Sequence, residues 1–291
     1  MHTKLHVIKN AYYHVCNLVS YRAMNVSAGE RCEIVAVALQ KGGVGKTTTT
    51  INLGANLATM GFRVLVIDMD QQAHSTKGLG VELGADDASM YEVLHPDRAM
   101  RVPLAKVIRP SQFGIDVAPG HLALKELERT GLGSGGQLRL ARQLDDIDDY
   151  DFVLMDCPPA LGELTTAALA AADYVLAVLK AGPDEVDGLV ELGNAILDVQ
   201  ETLNPAVEIR YVLLTDFDGN PKASKDVRKQ LRADWGEWDA GGAYLGEIPH
   251  TVRVVEAKGK RVPVHVHAPT STAAVAYREV AERIAARRQA A

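Results

Sequence analysis

The segment Gln40-Lys41-Gly42-Gly43-Val44-Gly45-Lys46-Thr47-Thr48 constrains this 291-residue chain more than any other. It follows a continuous apolar run, Ile34-Val35-Ala36-Val37-Ala38-Leu39, rich in β-branched residues as a strand buried on both faces is. It runs directly into a helical pattern from Thr47 to Met60, with Gly61 where a C-terminal cap sits. A strand that turns through glycines into a helix aims consecutive backbone N–H groups at one point, and the helix N-terminus adds partial positive charge. Such a turn suits phosphate. Lys46 is placed to reach β- and γ-phosphates, and the Thr47 hydroxyl to complete a Mg²⁺ shell. A strict phosphate loop has Gly at position 40, where Gln stands here. Lys41 is a second lysine that the ordinary cradle does not need.

Further apolar runs recur at 64–67, 152–155, 174–179 and 209–214, separated by helical patterns at 161–171, 187–203 and 223–235, with a closing one at 273–287. This alternation predicts βαβ units: one α/β domain over 33–291, with a mainly parallel twisted sheet flanked by helices on both faces. Residues 1–32 are polar and without period, and read as an N-terminal extension. The glycine-rich run Gly131–Gly136 lacks a strand-to-helix context and reads as a mobile loop without chemistry.

Two apolar runs end in carboxylates. Val64-Leu65-Val66-Ile67 leads to Asp68-Met69-Asp70, both acids being expected on one face at the C-terminal end of the strand, where ligands bind in open α/β sheets. Phe152-Val153-Leu154-Met155 leads to Asp156-Cys157-Pro158-Pro159, with Leu161-Gly162 beyond. Cys157 reads as a small buried filler.

The string from Lys41 to Thr48 resembles the deviant phosphate loop of the ParA/MinD family of P-loop ATPases, and Asp156-Cys157-Pro158-Pro159 is similar to that family's second magnesium motif. The resemblance extends over residues 33–287 and is closest to the ParA-type partitioning members. It implies a slow ATPase, stimulated by partner and DNA, with ATP and Mg²⁺ as cofactors. Lys41, Gly42, Gly43, Val44, Gly45, Lys46, Thr47 and Thr48 would bind nucleotide, with Lys41 reaching the nucleotide of a partner subunit in an ATP-dependent homodimer. Lys41, Lys46 and Asp70 would be catalytic, Asp70 holding the attacking water. Thr47 with Asp68 and Asp156, the two acids through water, would hold the metal. Gln72 is kept from the family's Asp-Pro-Gln, but Gln71 replaces its proline. Lys180-Ala181-Gly182 departs from the family's interface segment, and Asp216-Phe217-Asp218-Gly219 lacks its usual arginine. Pro249 and Thr251 match the adenine side.

Composition decides between functions within that family. The net charge is −6 and aromatics are 5%, which argues against base-stacking nucleic-acid modules. Yet residues 211–291 hold 13 Lys and Arg against 10 Asp and Glu, so a basic face survives inside an acidic total. Lys222, Lys225, Arg228 and Lys229 share one predicted helix with Arg232, and Arg253, Lys258, Lys260 and Arg261 form a second group. Contacts to phosphates without base readout need only such cations. The expectation is a partitioning protein that binds double-stranded DNA non-specifically and is released by a ParB-like centromere-binding adaptor. It would be cytoplasmic and nucleoid-associated. The alternative is a MinD-like membrane-cycling ATPase that positions the division site. That role needs an amphipathic anchor, and the stretch from Tyr277 onward has no Phe, Leu or Trp. No run approaches the length of a membrane span, and no signal peptide is evident. Cys16, Cys32 and Cys157 are too scattered for a disulfide framework or a zinc site, or for the paired cysteines of the family's redox members.

Overall fold

The computed structural model describes residues 32–290, so the expected extension at 1–32 lies outside the described residues except for Cys32. In chain order, β1 (Glu33–Ala38) leads to α1 (Lys46–Thr59) and β2 (Val64–Asp68). Three short helices follow, α2 (His74–Gly78), α3 (Met90–Leu94) and α4 (Leu104–Val107), then β3 (Arg109–Pro110) and β4 (Ile115–Ala118). Helices α5 (Leu124–Thr130) and α6 (Arg139–Leu144) precede β5 (Phe152–Asp156). The second half reads α7 (Glu163–Ala171), β6 (Tyr174–Lys180), α8 (Pro183–Thr202), β7 (Ile209–Phe217), α9 (Lys222–Trp235) and β8 (Tyr244–Pro249). It closes with α10 (Val252–Lys260), α11 (Val264–His267) and α12 (Thr272–Ala290).

The strands form one eight-stranded sheet in the order β3-β4-β2-β5-β1-β6-β7-β8, parallel throughout except for the β3–β4 pair. Both faces are covered, which explains why the strands read as unbroken apolar runs. Along β1, Ile34, Ala36 and Ala38 enter the core on one side, while Val35 and Val37 enter the core on the other. β1 lies between β5 and β6, although the chain leaves it for β2. The sheet therefore has its topological switch at β1, and the crevice at the C-terminal ends of such strands is the usual ligand position.

α1 is gripped by the C-terminal part of the chain. The Val264 N–H donates to Asn52 Oδ1 at 2.7 Å, and the Tyr277 and Thr49 hydroxyls lie 3.4 Å apart. At the far end of α12, buried Arg288 donates to the Asp151 carbonyl at 2.9 Å and lies over the Phe152 ring. Gly61 takes a φ of 92° just past α1, as a left-handed C-terminal cap requires.

The glycine-rich run at 131–136, read from the sequence as a loop, links α5 to α6 and is packed at both ends. Leu132 is fully buried, its carbonyl accepts from Arg139, and Gly136 lies so close that a Cβ there would overlap the Leu132 side chain. The glycines serve a tight packed turn between α5 and α6.

Candidate functional site

The glycine loop leaves β1 at the centre of the sheet and enters α1 through Gly45, whose φ of 97° is a left-handed conformation that side chains resist. A Cβ at Gly45 would also come within 3.0 Å of Thr215 Oγ1, at the end of β7. That hydroxyl holds the loop from beneath, donating to the Val44 carbonyl with the Leu179 carbonyl also in reach. Gly42 and Gly43 face open space on their outer side. Lys46 is only 6% exposed and donates through Nζ to the carbonyls of Leu39 at 3.0 Å and Lys41 at 2.8 Å. Its ammonium thus spans the loop from within. Burial pushes the Lys46 pKa down, while Asp156, Cys157 and Asp70 act to keep the charge. Lys41 lies half-buried at the loop entrance.

The three carboxylates singled out in the sequence meet beside this loop. Asp68 and Asp156 end neighbouring strands in direct register. Both are fully buried, and burial raises both pKa values; the Asp68 charge raises that of Asp156 further. The Ser75 hydroxyl, donating to Asp156 Oδ2 at 2.5 Å, and that of Thr47 oppose the rise. Asp156 Oδ1 is buried without a hydrogen-bond partner. Asp68 is better satisfied: Oδ1 accepts the Asp70 N–H at 3.1 Å, and Oδ2 accepts both the Thr76 N–H and its hydroxyl, at 2.8 and 2.7 Å. Asp70 lies past the end of β2, 8% exposed, with Oδ1 accepting the Gln72 N–H at 2.9 Å. Ala73 takes a left-handed φ of 52° there and its N–H closes a turn onto the Asp70 carbonyl, which orders this segment without the family's proline.

This donor set fits a magnesium ion. Two buried carboxylates that disfavour each other's charge, an orphaned oxygen and a threonine hydroxyl are hard oxygen donors that a divalent cation would stabilise. Thr76 and Ser75, on α2, escaped the sequence reading because a lone Ser or Thr on a short polar stretch carries no pattern; their partners lie on strands.

Cys157 is buried, and burial raises its thiol pKa, as expected of a filler. Two of the departures from the family pattern, at 180–182 and 216–219, meet in space. Lys180 Nζ lies 2.9 Å from Asp216 Oδ2, and His250 Nδ1 lies 2.6 Å from Oδ1, at the ends of β6, β7 and β8. Burial acts to raise the Asp216 pKa, but Lys180 and His250 outweigh it and hold it low. Pro249 pairs with Phe217 beside this cluster, and the Thr251 side chain caps α10 by accepting the Arg253 N–H. The cations divide. Lys222, Lys225 and Lys229 are exposed on α9, and Lys258 and Lys260 on α10. Each arginine of the two groups lies near a carboxylate: Arg228 is 3.9 Å from Glu247, Arg232 pairs with Glu237 and Glu247, and the exposed Arg253 and Arg261 pair with Glu256 and Glu82. The basic group on α9 is therefore narrower than the sequence suggests.

A family model described as an AAA domain matches residues 32–209. The chain is 37% identical over 257 residues to the chromosome-partitioning ATPase Soj of Thermus thermophilus, a match covering 88% of this chain and 97% of that protein. It is also 37% identical over 258 residues to the chromosome partitioning protein ParA of Caulobacter vibrioides, covering 87% of this chain and 94% of that one. Among solved structures, cobyrinic acid a,c-diamide synthase from Mycobacterium smegmatis, with a bound ATP analogue and magnesium, matches with a TM-score of 0.71 and 30% identity. That match covers 87% of this chain and 93% of the other.

Proposed function

We propose a function for this chain from one premise: it belongs to the Soj/ParA family of chromosome-partitioning ATPases. The observation that carries the reading is the meeting of Lys46, Thr47, Asp68, Asp70 and Asp156 around one glycine loop at the C-terminal edge of the sheet. Backbone N–H groups from Gly42 to Thr48 bind the ATP phosphates, and Lys46 turns its ammonium to the β- and γ-phosphates. Thr47, with Asp68 and Asp156 through water, would hold Mg²⁺, which would supply neutralisation of phosphate charge. Asp70 keeps Oδ1 on the Gln72 amide and offers Oδ2 to the attacking water, so that the water is aligned before the phosphoryl group moves. Pro249 and Thr251 border the adenine.

In this reading ATP closes a homodimer, Lys41 of each subunit stabilises charge on the other's phosphates, and hydrolysis is slow until a ParB-like adaptor and DNA stimulate it. Lys41→Ala is expected to keep nucleotide binding within about threefold while lowering turnover by about 10³-fold, the scale of a missing finger cation. Single-turnover hydrolysis beside equilibrium binding checks it, and unchanged turnover would remove Lys41 from the mechanism.

The dimer binds double-stranded DNA through exposed lysines without reading sequence, and release follows hydrolysis. Retention on DNA should require ATP and fall steeply with salt. Replacing Lys222, Lys225 and Lys229 by Ala should flatten the salt slope by about 0.9 for each phosphate that is no longer neutralised. Binding that ignores ATP or salt would sink the DNA reading. A MinD-like membrane cycle has less support. Tyr277, Val280 and Ile284 of α12 are buried against the body, and among the described residues no helix is long and apolar enough to cross a membrane. ATP-dependent sedimentation with liposomes would reverse that preference.

A further inference from the structure

α7 begins without a side-chain cap of its own, since its N-cap is Gly162 in an extended conformation. The cap comes from another helix. Glu128, in the last turn of α5, accepts the Leu164 N–H on Oε2 at 3.0 Å and also draws on the Glu163 N–H. A carboxylate at this end of a helix meets its positive pole and satisfies amides that otherwise lack partners. Burial raises the Glu128 pKa, and the two amides act against the rise. The fit leaves no room at position 162: a Cβ there would overlap Glu128 Oε1. A side chain at 162 would push the Glu128 carboxylate out of its present seat.

Gly162 closes the loop that begins at Asp156. The loop is tied at its start by the Cys157 N–H, which donates to the Val37 carbonyl at 3.2 Å, and near its end by the Thr165 hydroxyl on the Ala160 carbonyl at 2.6 Å. The segment that supplies Glu128 is itself fixed to the other carboxylate. The Gly120 N–H donates to Thr76 Oγ1 at 2.9 Å, and that hydroxyl donates to Asp68. A Cβ at Gly120 would come within 2.9 Å of the Asp68 carbonyl oxygen and Cγ. One stretch, 120–128, thus braces Asp68 at one end and closes the loop after Asp156 at the other.

We propose that Glu128 is a positioning residue for ATP hydrolysis. By filling the space that Gly162 leaves and capping α7, it fixes the loop after Asp156 and sets turnover without setting nucleotide affinity. The proposal rests on the ATPase reading with Asp156 at the metal site. Its test compares the full-length wild type with Glu128→Ala, Glu128→Gln, Gly162→Ala and the double variant Glu128→Ala/Gly162→Ala. Each is measured for steady-state hydrolysis, for binding of a fluorescent ATP analogue and for its melting curve.

Glu128→Ala should lower kcat by about tenfold, the scale of a slightly misplaced group, with nucleotide Kd within about twofold. Glu128→Gln, which keeps an acceptor oxygen for the Leu164 amide, should recover most of the loss. Gly162→Ala should cost about tenfold in the wild type but under about twofold in the Glu128→Ala background, where the space is open. Should Gly162→Ala not fold, the Glu128→Gln and Glu128→Ala comparison decides. Unchanged kcat in Glu128→Ala overturns the proposal alone. So does a parallel loss of kcat and affinity, or an equal cost of Gly162→Ala in both backgrounds. A wild-type chain that binds ATP without turning it over, even in single-turnover assays with double-stranded DNA and a ParB-like adaptor present, overturns the ATPase reading and this proposal with it.

Discussion

Lys46→Ala is expected to abolish measurable nucleotide binding at ordinary concentrations. The ammonium is buried at the loop and held by the carbonyls of Leu39 and Lys41, from which bound phosphates would draw it. Truncating one partner of a buried charge pair costs about 2–5 kcal/mol, which at about 1.4 kcal/mol per decade weakens Kd between roughly 30-fold and several thousandfold. The fold should survive. Removing the side chain also removes the desolvation that lowers the pKa of Lys46, which partly offsets its two missing hydrogen bonds to carbonyls. Calorimetric titration with ATP, beside a melting curve, separates the two effects. A variant that binds within threefold of the wild type would show that the loop is not the phosphate site.

Asp70→Ala should do the opposite: retain ATP and the ATP-bound dimer while stopping turnover. Its carboxylate has one oxygen committed to the Gln72 amide, and burial keeps competing solvent away. Loss of a group that aligns or deprotonates an attacking water costs about 10²–10⁴-fold in rate. Asp70→Asn separates chemistry from local folding, because its side-chain oxygen can still accept from Gln72 while the negative charge is gone. Size-exclusion chromatography in ATP, paired with phosphate release, reads both properties. Hydrolysis at the wild-type rate in either variant would remove Asp70 from the mechanism.

The long elements were legible because each carries enough apolar residues to show a period. β1, β2, β5, β6 and β7 fall on the expected runs, and α1 and α9 begin within one residue of expectation. β4 and β8 were not legible. Ile115-Asp116-Val117-Ala118 is only four residues long, and β8 is broken by Gly246 at φ 109° with Glu247 beside it, which reads as a turn. At the site, Lys46, Asp68, Asp70 and Asp156 stood out because motifs keep them close to glycine or to strand ends. Thr215 and Glu128 did not. Their partners, Val44 and Leu164, are 171 and 36 residues away in sequence, and nothing local in Thr215 or Glu128 announces a long-range hydrogen bond. The arginines of α9 erred in the other direction. Arg228 and Arg232 look like part of a basic face until β8 brings Glu247 against them.

The position of β1 in the sheet also sets a timetable for synthesis. Both of its neighbours are encoded far downstream: β5 begins at Phe152 and β6 ends at Lys180. About 140 residues must leave the ribosome after Ala38 before the strand beneath the glycine loop is flanked on both sides, an interval of about 7–30 s at ~5–20 residues per second. Thr215, which steadies the loop through Val44, emerges later still. The nascent chain therefore carries this apolar strand without either sheet neighbour until β5 has been made, and a chain cut before β5 would hold the glycine motif in full yet have no seat for it.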